Sequence, residues 1–318
     1  MKRQFLIPDI ETQETGSLTP ISLKSNTERQ ITYGCHIIFE NKEAKTKNEI
    51  RYKMDIEIVK NGERYIDYII KRHDSFYLND EVPSNTSDLC LFEAGQFIYP
   101  LKLRANKSGK ALRITNFDEI KNRWTVNHKT DILEKYGLEI ANGYVTGVNS
   151  ILSSEDIFVK YILNEWFLCL YFNNLYGDYS ENFINTLDRL YPLLPKTKPV
   201  SFHSKAKIKN DGTYDRVFFK GKINDDRCYE DLSQKLKTPY FSLINPDAKQ
   251  AEADFKLQYL MEMGSGLILG LDALFNHNIN GEQTIGVGMY KIGEVENGEA
   301  KPKNIEKDKK GIFARIFK

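Results

Sequence analysis

The stretch from Ser154 to Phe172 constrains the fold most, because it is the most apolar stretch of the chain. Ser154, Glu155 and Asp156 supply the hydroxyl cap and the early carboxylates that a helix N-terminus prefers. Apolar side chains follow at spacings of three and four and extend almost all round the predicted helix. A helix of this kind is normally buried. We therefore predict a core helix over residues 156–172.

The same stretch is about long enough to cross a membrane. Lys160, Asn164 and Glu165 fall near its middle, however, and the sequence contains no second apolar stretch that would cover them. Charged side chains inside a membrane are costly without partners. The sequence therefore favours a buried helix over a transmembrane one.

Strand patterns precede the central stretch. Apolar and polar residues alternate, as they do in strands with one buried face. Asn61-Gly62 is a strong signal for a two-residue hairpin turn, and successive hairpins indicate an antiparallel sheet. The predicted strands here cover residues 31–39, 52–58, 65–76, 97–104 and 111–115.

Helical patterns occupy the middle of the chain, and strand patterns resume after residue 200. The predicted helices around the central one cover residues 118–136, 138–152 (helical or irregular) and 180–194. The later strands cover residues 200–208, 214–223, 255–263, 267–275 and 283–292. A short helix is predicted between residues 225 and 236, with Asp225 and Asp226 as its caps.

The order of strands, helices and strands predicts an α+β fold, in which antiparallel strands curl around a helical centre. We expect an extended N-terminal arm over residues 1–27. A single α+β domain follows over residues 28–293, with central helices at about 117–194. A flexible charged tether with an amphipathic tail covers residues 294–318. The alternative is two sheet domains joined by a helical linker, but residues 156–172 are too apolar for a linker.

The charge balance limits the class of partner. The 318 residues carry a formal net charge of +1, and the pattern shows no basic stripe in the body of the chain, so we expect no nucleic-acid partner. The four cysteines are far apart and form no CxxC pattern, which favours free thiols in a reducing compartment. Pro8 and Asp9 interrupt the N-terminal apolar run, which is unlike a secretion signal. The expected location is the cytoplasm.

The densest group of carboxylates is Asp225, Asp226, Glu230 and Asp231. In a helix, Asp226 and Glu230 lie one turn apart on one face and could hold a divalent cation through oxygen. A metal-dependent hydrolase is therefore one alternative. The other interpretation is helix capping, with Arg227 as the local counter-charge, and it leads us to expect no metal and no cofactor.

The histidines do not form a recognisable catalytic motif. They are dispersed through the sequence, and none occurs in HxH, HExxH or HxxxH. His73 next to Asp74 is the one pair that suggests an oriented base. The glycines of MGSGLILG lack the GKS or GKT of a phosphate-binding loop and are predicted to form a hairpin turn.

The C-terminus ends in a short basic and aromatic segment. If it is helical, its apolar side chains share one arc and its cations lie opposite. The segment resembles the terminal membrane-targeting peptides of some bacterial cell-division proteins, in these few residues only. A disordered tail is the alternative. The predicted interaction residues are Lys309, Lys310, Ile312, Phe313, Arg315, Ile316, Phe317 and Lys318.

These patterns predict a non-catalytic binding or scaffold protein of a bacterial cytoplasm. The bacterial assignment rests on the Lys-, Asn- and Ile-rich composition. We expect a protein partner, bound at strand edges or at the mouth of the curved sheet. We also expect peripheral contact of the tail with an anionic membrane surface at its inner face. The sequence leaves a homo-oligomer open.

Overall fold

A computed structural model describes residues 17–24, 30–195, 197–245 and 247–293. The strands are β1 (Thr19–Ile21), β2 (Gln30–Asn41), β3 (Thr46–Asn61), β4 (Tyr65–Leu78), β5 (Leu101–Asn106), β6 (Ala111–Ile114), β7 (Gly177–Tyr179), β8 (Ile184–Asn185), β9 (Arg189–Tyr191), β10 (Val200–Asn210), β11 (Tyr214–Ile223), β12 (Ala253–Glu262), β13 (Ile268–His277) and β14 (Gln283–Lys291). The helices are α1 (Thr86–Ala94), α2 (Phe117–Arg123), α3 (Lys129–Ile151), α4 (Glu155–Ile162), α5 (Trp166–Tyr171), α6 (Tyr229–Ser233) and α7 (Phe241–Ile244). A 3-10 turn (Gln96–Ile98) and a π-helical turn (Trp124–His128) complete the helical segments.

Twelve strands form one antiparallel sheet in the order β6-β5-β4-β3-β2-β14-β13-β12-β11-β10-β8, and β9 also pairs with β10. Because β14 pairs with β2, the strands before and after the helices belong to the same sheet. A separate two-stranded sheet joins β1 to β7. The predicted α+β class, with antiparallel strands around a helical segment, is confirmed.

The central apolar stretch forms two helices, α4 and α5, where the sequence predicted one. The chain breaks between them because Glu165 caps α5: its carboxylate accepts a hydrogen bond from the backbone N–H of Leu168 at 3.0 Å. The same carboxylate accepts a 2.6 Å hydrogen bond from the hydroxyl of Tyr52 in β3. Glu165 therefore both starts α5 and ties it to the sheet.

A segment at the end of α5 connects the two edges of the sheet. Asn173 forms an antiparallel bridge with Lys110 beside β6, and the N–H of Tyr176 donates to the carbonyl of Ser108. At the other edge, the guanidinium of Arg189 in β9 donates to the carbonyl of Asn173. Because both edges meet residues 173–176, the sheet is curled around α4 and α5.

The prediction of a helix over residues 180–194 is wrong. The structure places β8 and β9 there, and both pair with β10. A helix would have left one edge of β10 without hydrogen-bond partners in this region. The pairing residues of β10 lie 9 to 22 positions downstream, so the local pattern of residues 180–194 does not reveal them.

One further helix was not predicted, and one predicted helix break is present. Residues 86–94 form α1, which the sequence analysis did not predict; the side chain of Asn85 caps it by accepting from the N–H of Ser87 at 2.8 Å. Gly137 was predicted to separate two helical segments, and it interrupts α3 with a φ of 71°, which favours glycine. The second helical segment therefore begins after Gly137, as predicted.

Candidate functional site

The carboxylate group predicted as the alternative metal site serves the local backbone instead. Asp231 is fully buried, and its carboxylate accepts hydrogen bonds from the N–H groups of Cys228, Tyr240, Phe241 and Ser242. Burial alone would raise the pKa of Asp231, but these backbone hydrogen bonds hold it well below its usual value. Asp231 therefore fixes the loop between β11 and β12.

The carboxylate of Asp225 is also engaged in hydrogen bonds within the chain. Its carboxylate receives two hydrogen bonds of 2.7 Å from the guanidinium of Arg227, and the N–H of Ser201 donates to it at 3.0 Å. Burial opposes ionisation of Asp225, but the Arg227 and Ser201 hydrogen bonds prevail and lower its pKa. Arg227 was predicted as the counter-charge of this group, and the structure shows that contact. Its guanidinium also donates to the carbonyls of Lys198, Pro199 and Leu236.

The other two carboxylates differ in exposure: Asp226 is exposed and Glu230 is half-buried. Within the ranges that the structure describes, no three side chains among His, Cys, Asp and Glu form a group that could hold a metal ion. The residues predicted for the C-terminal interaction element, 309–318, lie outside the described ranges.

The suggested His73–Asp74 base does not form. His73 instead contacts Asp55 on the neighbouring strand, with 2.8 Å between Nε2 and Oδ1. The hydroxyl of Thr32 donates to the same oxygen at 2.7 Å. His73 and Asp74 are neighbours on β4 and therefore point to opposite faces, whereas register places Asp55 on the same face as His73.

A basic surface covers the outer face of β10, β11 and β12, which the sequence analysis missed. Register places Lys205, Lys220 and Lys256 directly opposite one another on three adjacent strands. We call this surface the basic face; its cations are Lys205, Lys207, Lys209, Arg216, Lys220, Lys222 and Lys256. The signal in the sequence was the alternation of lysine in SKAKIKN, which places three lysines on one side of a strand.

Carboxylates near the basic face leave most of its lysines without an ion pair. Asp211 pairs with Arg216 at 3.3 Å, and Asp254 accepts from Asn276 at 3.1 Å. Five lysines of the basic face have no carboxylate oxygen of a described residue within 4 Å of their ammonium groups: Lys205, Lys207, Lys209, Lys220 and Lys222. Aromatic rings take part instead: the ammonium of Lys220 lies 4.0 Å from the centre of the Phe183 ring, and that of Lys207 lies 4.8 Å from it.

The outer face of β2, β3 and β4 provides a contrast within the same sheet. Glu49 contacts His36 at 2.9 Å, Arg51 at 3.3 Å and Lys47 at 3.5 Å. Further ion pairs of this region are Lys71–Glu57, His73–Asp55, Arg51–Asp80 and Arg104–Asp67. Cations and carboxylates are therefore interspersed in this half of the sheet, whereas the paired outer positions of β10, β11 and β12 hold seven cations and two carboxylates, Asp254 and Glu262.

Asp272 lies beside the basic face, on the outer side of β13. Its register neighbours are Gln258 and Gly288, and burial raises its pKa to about 6. On the core side of the same strand, burial lowers the pKa of His277 to about 4. The two groups act oppositely on stability. Folded Asp272 binds a proton between pH 4 and 6 that the unfolded chain does not, so its contribution to stability falls as pH rises.

We expect Asp272→Asn to stabilise the protein at pH 8 by about 1–2 kcal/mol, after allowance for solvent near this partly exposed carboxyl. The gain should shrink as pH falls from 7 to 4, because the wild-type carboxyl becomes neutral in the folded state. Urea unfolding at several pH values measures the free energy of unfolding of the wild type and of Asp272→Asn. His277 is present in both proteins, so its opposite effect cancels in the difference. A difference that does not depend on pH would contradict the burial of an ionisable Asp272.

No protein-family model matches the chain, and no curated protein matches it. One solved structure, described as lipid–protein interactions in lipovitellin, aligns with 86% of this chain at 11% sequence identity and a TM-score of 0.40. The chain spans about a quarter of the length of that structure's chain, with 25% covered. Across the described segments, no helix is long and apolar enough to span a membrane.

Proposed function

We propose that this protein is a non-catalytic binding protein whose interaction surface is the basic face, and that its partner presents a dense array of negative charges. The observation that carries the proposal is the row of Lys205, Lys220 and Lys256 across three adjacent strands. Like charges directly opposite each other on a sheet are destabilising. A polyanionic partner would offset this repulsion.

The overall charge supports the same proposal. The chain carries a net charge of only +1, so the excess of cations on the basic face is balanced by acidic residues elsewhere. A polarised charge distribution of this kind orients a protein toward an anionic partner and accelerates their association. The net charge of the chain is too small to attract an anionic partner by itself. The orientation of binding would therefore come from the local charge of the basic face.

The non-catalytic part of the proposal draws on the carboxylates. Of the four carboxylates of the alternative hydrolase, Asp225 and Asp231 are committed to hydrogen bonds that shape a loop. Asp226 and Glu230, its candidate metal ligands, are joined by no third ligand within the described ranges. The proposed location is the bacterial cytoplasm, and the cysteines support it: Cys35, Cys90, Cys169 and Cys228 are all free thiols.

The test compares two triple variants of the full chain that change the net charge equally. One variant neutralises exposed lysines of the basic face (Lys205→Gln, Lys209→Gln, Lys222→Gln). The control neutralises exposed lysines elsewhere (Lys53→Gln, Lys60→Gln, Lys121→Gln). On a heparin column, a soluble-polyanion mimic, the basic-face variant should elute at clearly lower salt than the wild type, because it loses three phosphate- or sulfate-pairing charges. The control should elute close to the wild type.

Thermal unfolding of the same proteins adds a second readout. Lys205 and Lys209 face the cations Lys220 and Arg216, so their neutralisation relieves like-charge repulsion and should leave the melting temperature of the basic-face variant unchanged or higher. Equal elution shifts for the two triple variants would refute the basic face as the interaction surface.

A further inference from the structure

An exposed apolar tip lies at one end of the strands that carry the basic face. The loop from β11 to β12 contains α7, and there Tyr240, Leu243 and Ile244 are 57%, 76% and 64% exposed. Leu187 in the loop between β8 and β9 is 75% exposed. Single exposed apolar residues are common, but several within one short loop indicate a contact with an apolar partner.

The tip is held rigidly. The buried carboxylate of Asp231 accepts from the N–H groups of Tyr240 and Phe241 at 3.0 and 2.8 Å, and from the hydroxyl of Ser242 at 3.0 Å. The side chains that follow are therefore presented to solvent by a fixed backbone. A fixed apolar tip costs less to insert into a partner than a mobile one, because little backbone entropy is lost on binding.

Exposed lysines and an exposed carboxylate lie near the tip: the backbone carbonyl of Asp226, whose side chain is exposed, accepts from the hydroxyl of Ser242. Lys235 and Lys237 precede it in the loop, and both are exposed. The loop leaves β11 directly after Lys222 and returns to β12 just before Lys256, so it joins the ends of strands in the basic face. The hydroxyl of Ser204 in β10 donates to the carbonyl of Leu187, which places that exposed side chain at the edge of the same strands.

We infer that the basic face and the apolar tip together dock this protein on the surface of a bilayer containing acidic phospholipids. The inference rests on the proposed function and names its partner. A bilayer of this composition combines an array of phosphate charges with an apolar layer a few ångströms below it, which matches lysines beside a short apolar loop. Each lysine near such a surface strengthens binding, and the tip adds an insertion that is independent of salt.

A single-stranded nucleic acid fits the same residues less well. Its phosphates would suit the lysines, but its binding normally requires aromatic rings on which bases stack. On the basic face, the rings of Phe183 and Phe218 are already covered by the ammonium groups of Lys207 and Lys220, and in the tip Tyr240 is the exposed ring. A nucleic acid also provides no apolar layer for Leu243 and Ile244.

The experiment is co-sedimentation of the full chain with vesicles of phosphatidylcholine alone and of phosphatidylcholine mixed with phosphatidylglycerol. The wild type should bind only the mixed vesicles. A tip variant (Leu243→Ser, Ile244→Ser) should bind them about tenfold more weakly, by loss of apolar burial, and should elute from heparin like the wild type. The basic-face triple variant should lose about tenfold or more in vesicle binding, whereas the control triple should match the wild type.

The outcomes of these assays distinguish the membrane inference from the proposed function. If heparin elution depends on the basic face but the mixed vesicles are not bound, the membrane inference fails and the proposed function stands. The inference fails as well if the tip variant binds vesicles as tightly as the wild type, or if only a truncation after Asp308, which removes the predicted C-terminal element, abolishes vesicle binding. Preferred binding of a single-stranded RNA oligonucleotide over vesicles would also overturn it.

Discussion

Asp231→Ala is expected to destabilise the protein by about 3–5 kcal/mol, one of the largest effects of any single substitution. Asp231 is fully buried and serves several backbone N–H groups of the loop between β11 and β12. Alanine leaves those donors buried without an acceptor, and each pays a desolvation cost. Urea unfolding at neutral pH measures the loss.

The matched control is Asp226→Ala, five positions earlier in the same loop. Its side chain is exposed, and its backbone carbonyl, which alanine retains, accepts from the hydroxyl of Ser242. We therefore expect a change within about 0.5 kcal/mol. Similar losses for Asp231→Ala and Asp226→Ala would show that Asp231 does not hold the loop as described.

The pH dependence of Asp231 has a defined sign. The pKa of its carboxyl is lower in the folded protein than in the unfolded chain. The contribution of its ionised carboxylate to the free energy of unfolding is therefore fully present above the ordinary aspartate pKa of about 4. This contribution is lost as the pH falls below that value. The stability difference between wild type and Asp231→Ala should accordingly shrink in acid, and a difference that grows in acid would contradict the assignment.

Much of the sheet could be predicted from the sequence because its signals are local. The alternation in residues 31–39 lies within β2, and a turn joins β3 to β4 next to Asn61-Gly62, although it covers residues 62–64 and Asn61 still pairs within β3. Period-two alternation and turn signals are encoded by neighbouring residues. They can therefore be recognised in the sequence without knowledge of the partner strand. The buried character of α5 was predicted for the same reason, but the prediction is wrong for α4, which buries Phe158 and Ile162 and exposes Ile157 and Tyr161.

Features that depend on distant pairing could not be predicted. Residues 184–191 pair with β10, and only that pairing makes them strands. Glu165 caps α5 locally, but its tie to Tyr52, more than a hundred residues earlier, is a contact that no local pattern reveals. The basic face was missed for a related reason. Lysines scattered over three segments become one surface only when the register of β10, β11 and β12 is known.

Phe275→Ala is the second substitution with a large expected effect, again about 3–5 kcal/mol. Phe275 in β13 is fully buried, and its ring centre lies 4.9 Å from that of Trp166 and 4.7 Å from that of Tyr191. It also stacks on Phe255 at 5.7 Å. Alanine would leave a cavity where α5, β9 and β12 meet, and rigid aromatic neighbours fill such a space poorly.

The neighbouring residue provides the control. Leu274 lies on the outer face of the same strand and is only half-buried. Since successive side chains of a strand point to opposite faces, Leu274→Ala removes a side chain from the surface without opening the core. Its expected cost is about 1 kcal/mol or less. Comparable losses for the two variants would mean that the aromatic cluster does not stabilise the fold as its packing indicates.

The same variant tests whether the two halves of the sheet unfold together. The chain has two tryptophans, and Trp124 packs against Phe97 near β5, whereas Trp166 packs against Phe275. The variants Trp124→Phe and Trp166→Phe each retain one tryptophan as a fluorescent reporter. The two reporters lie in different halves of the sheet. Because β14 and β2 join both halves in one sheet, Phe275→Ala should lower the unfolding midpoint seen by either reporter equally. A shift confined to the Trp166 signal would show instead that the strands before and after the helices unfold as separate units.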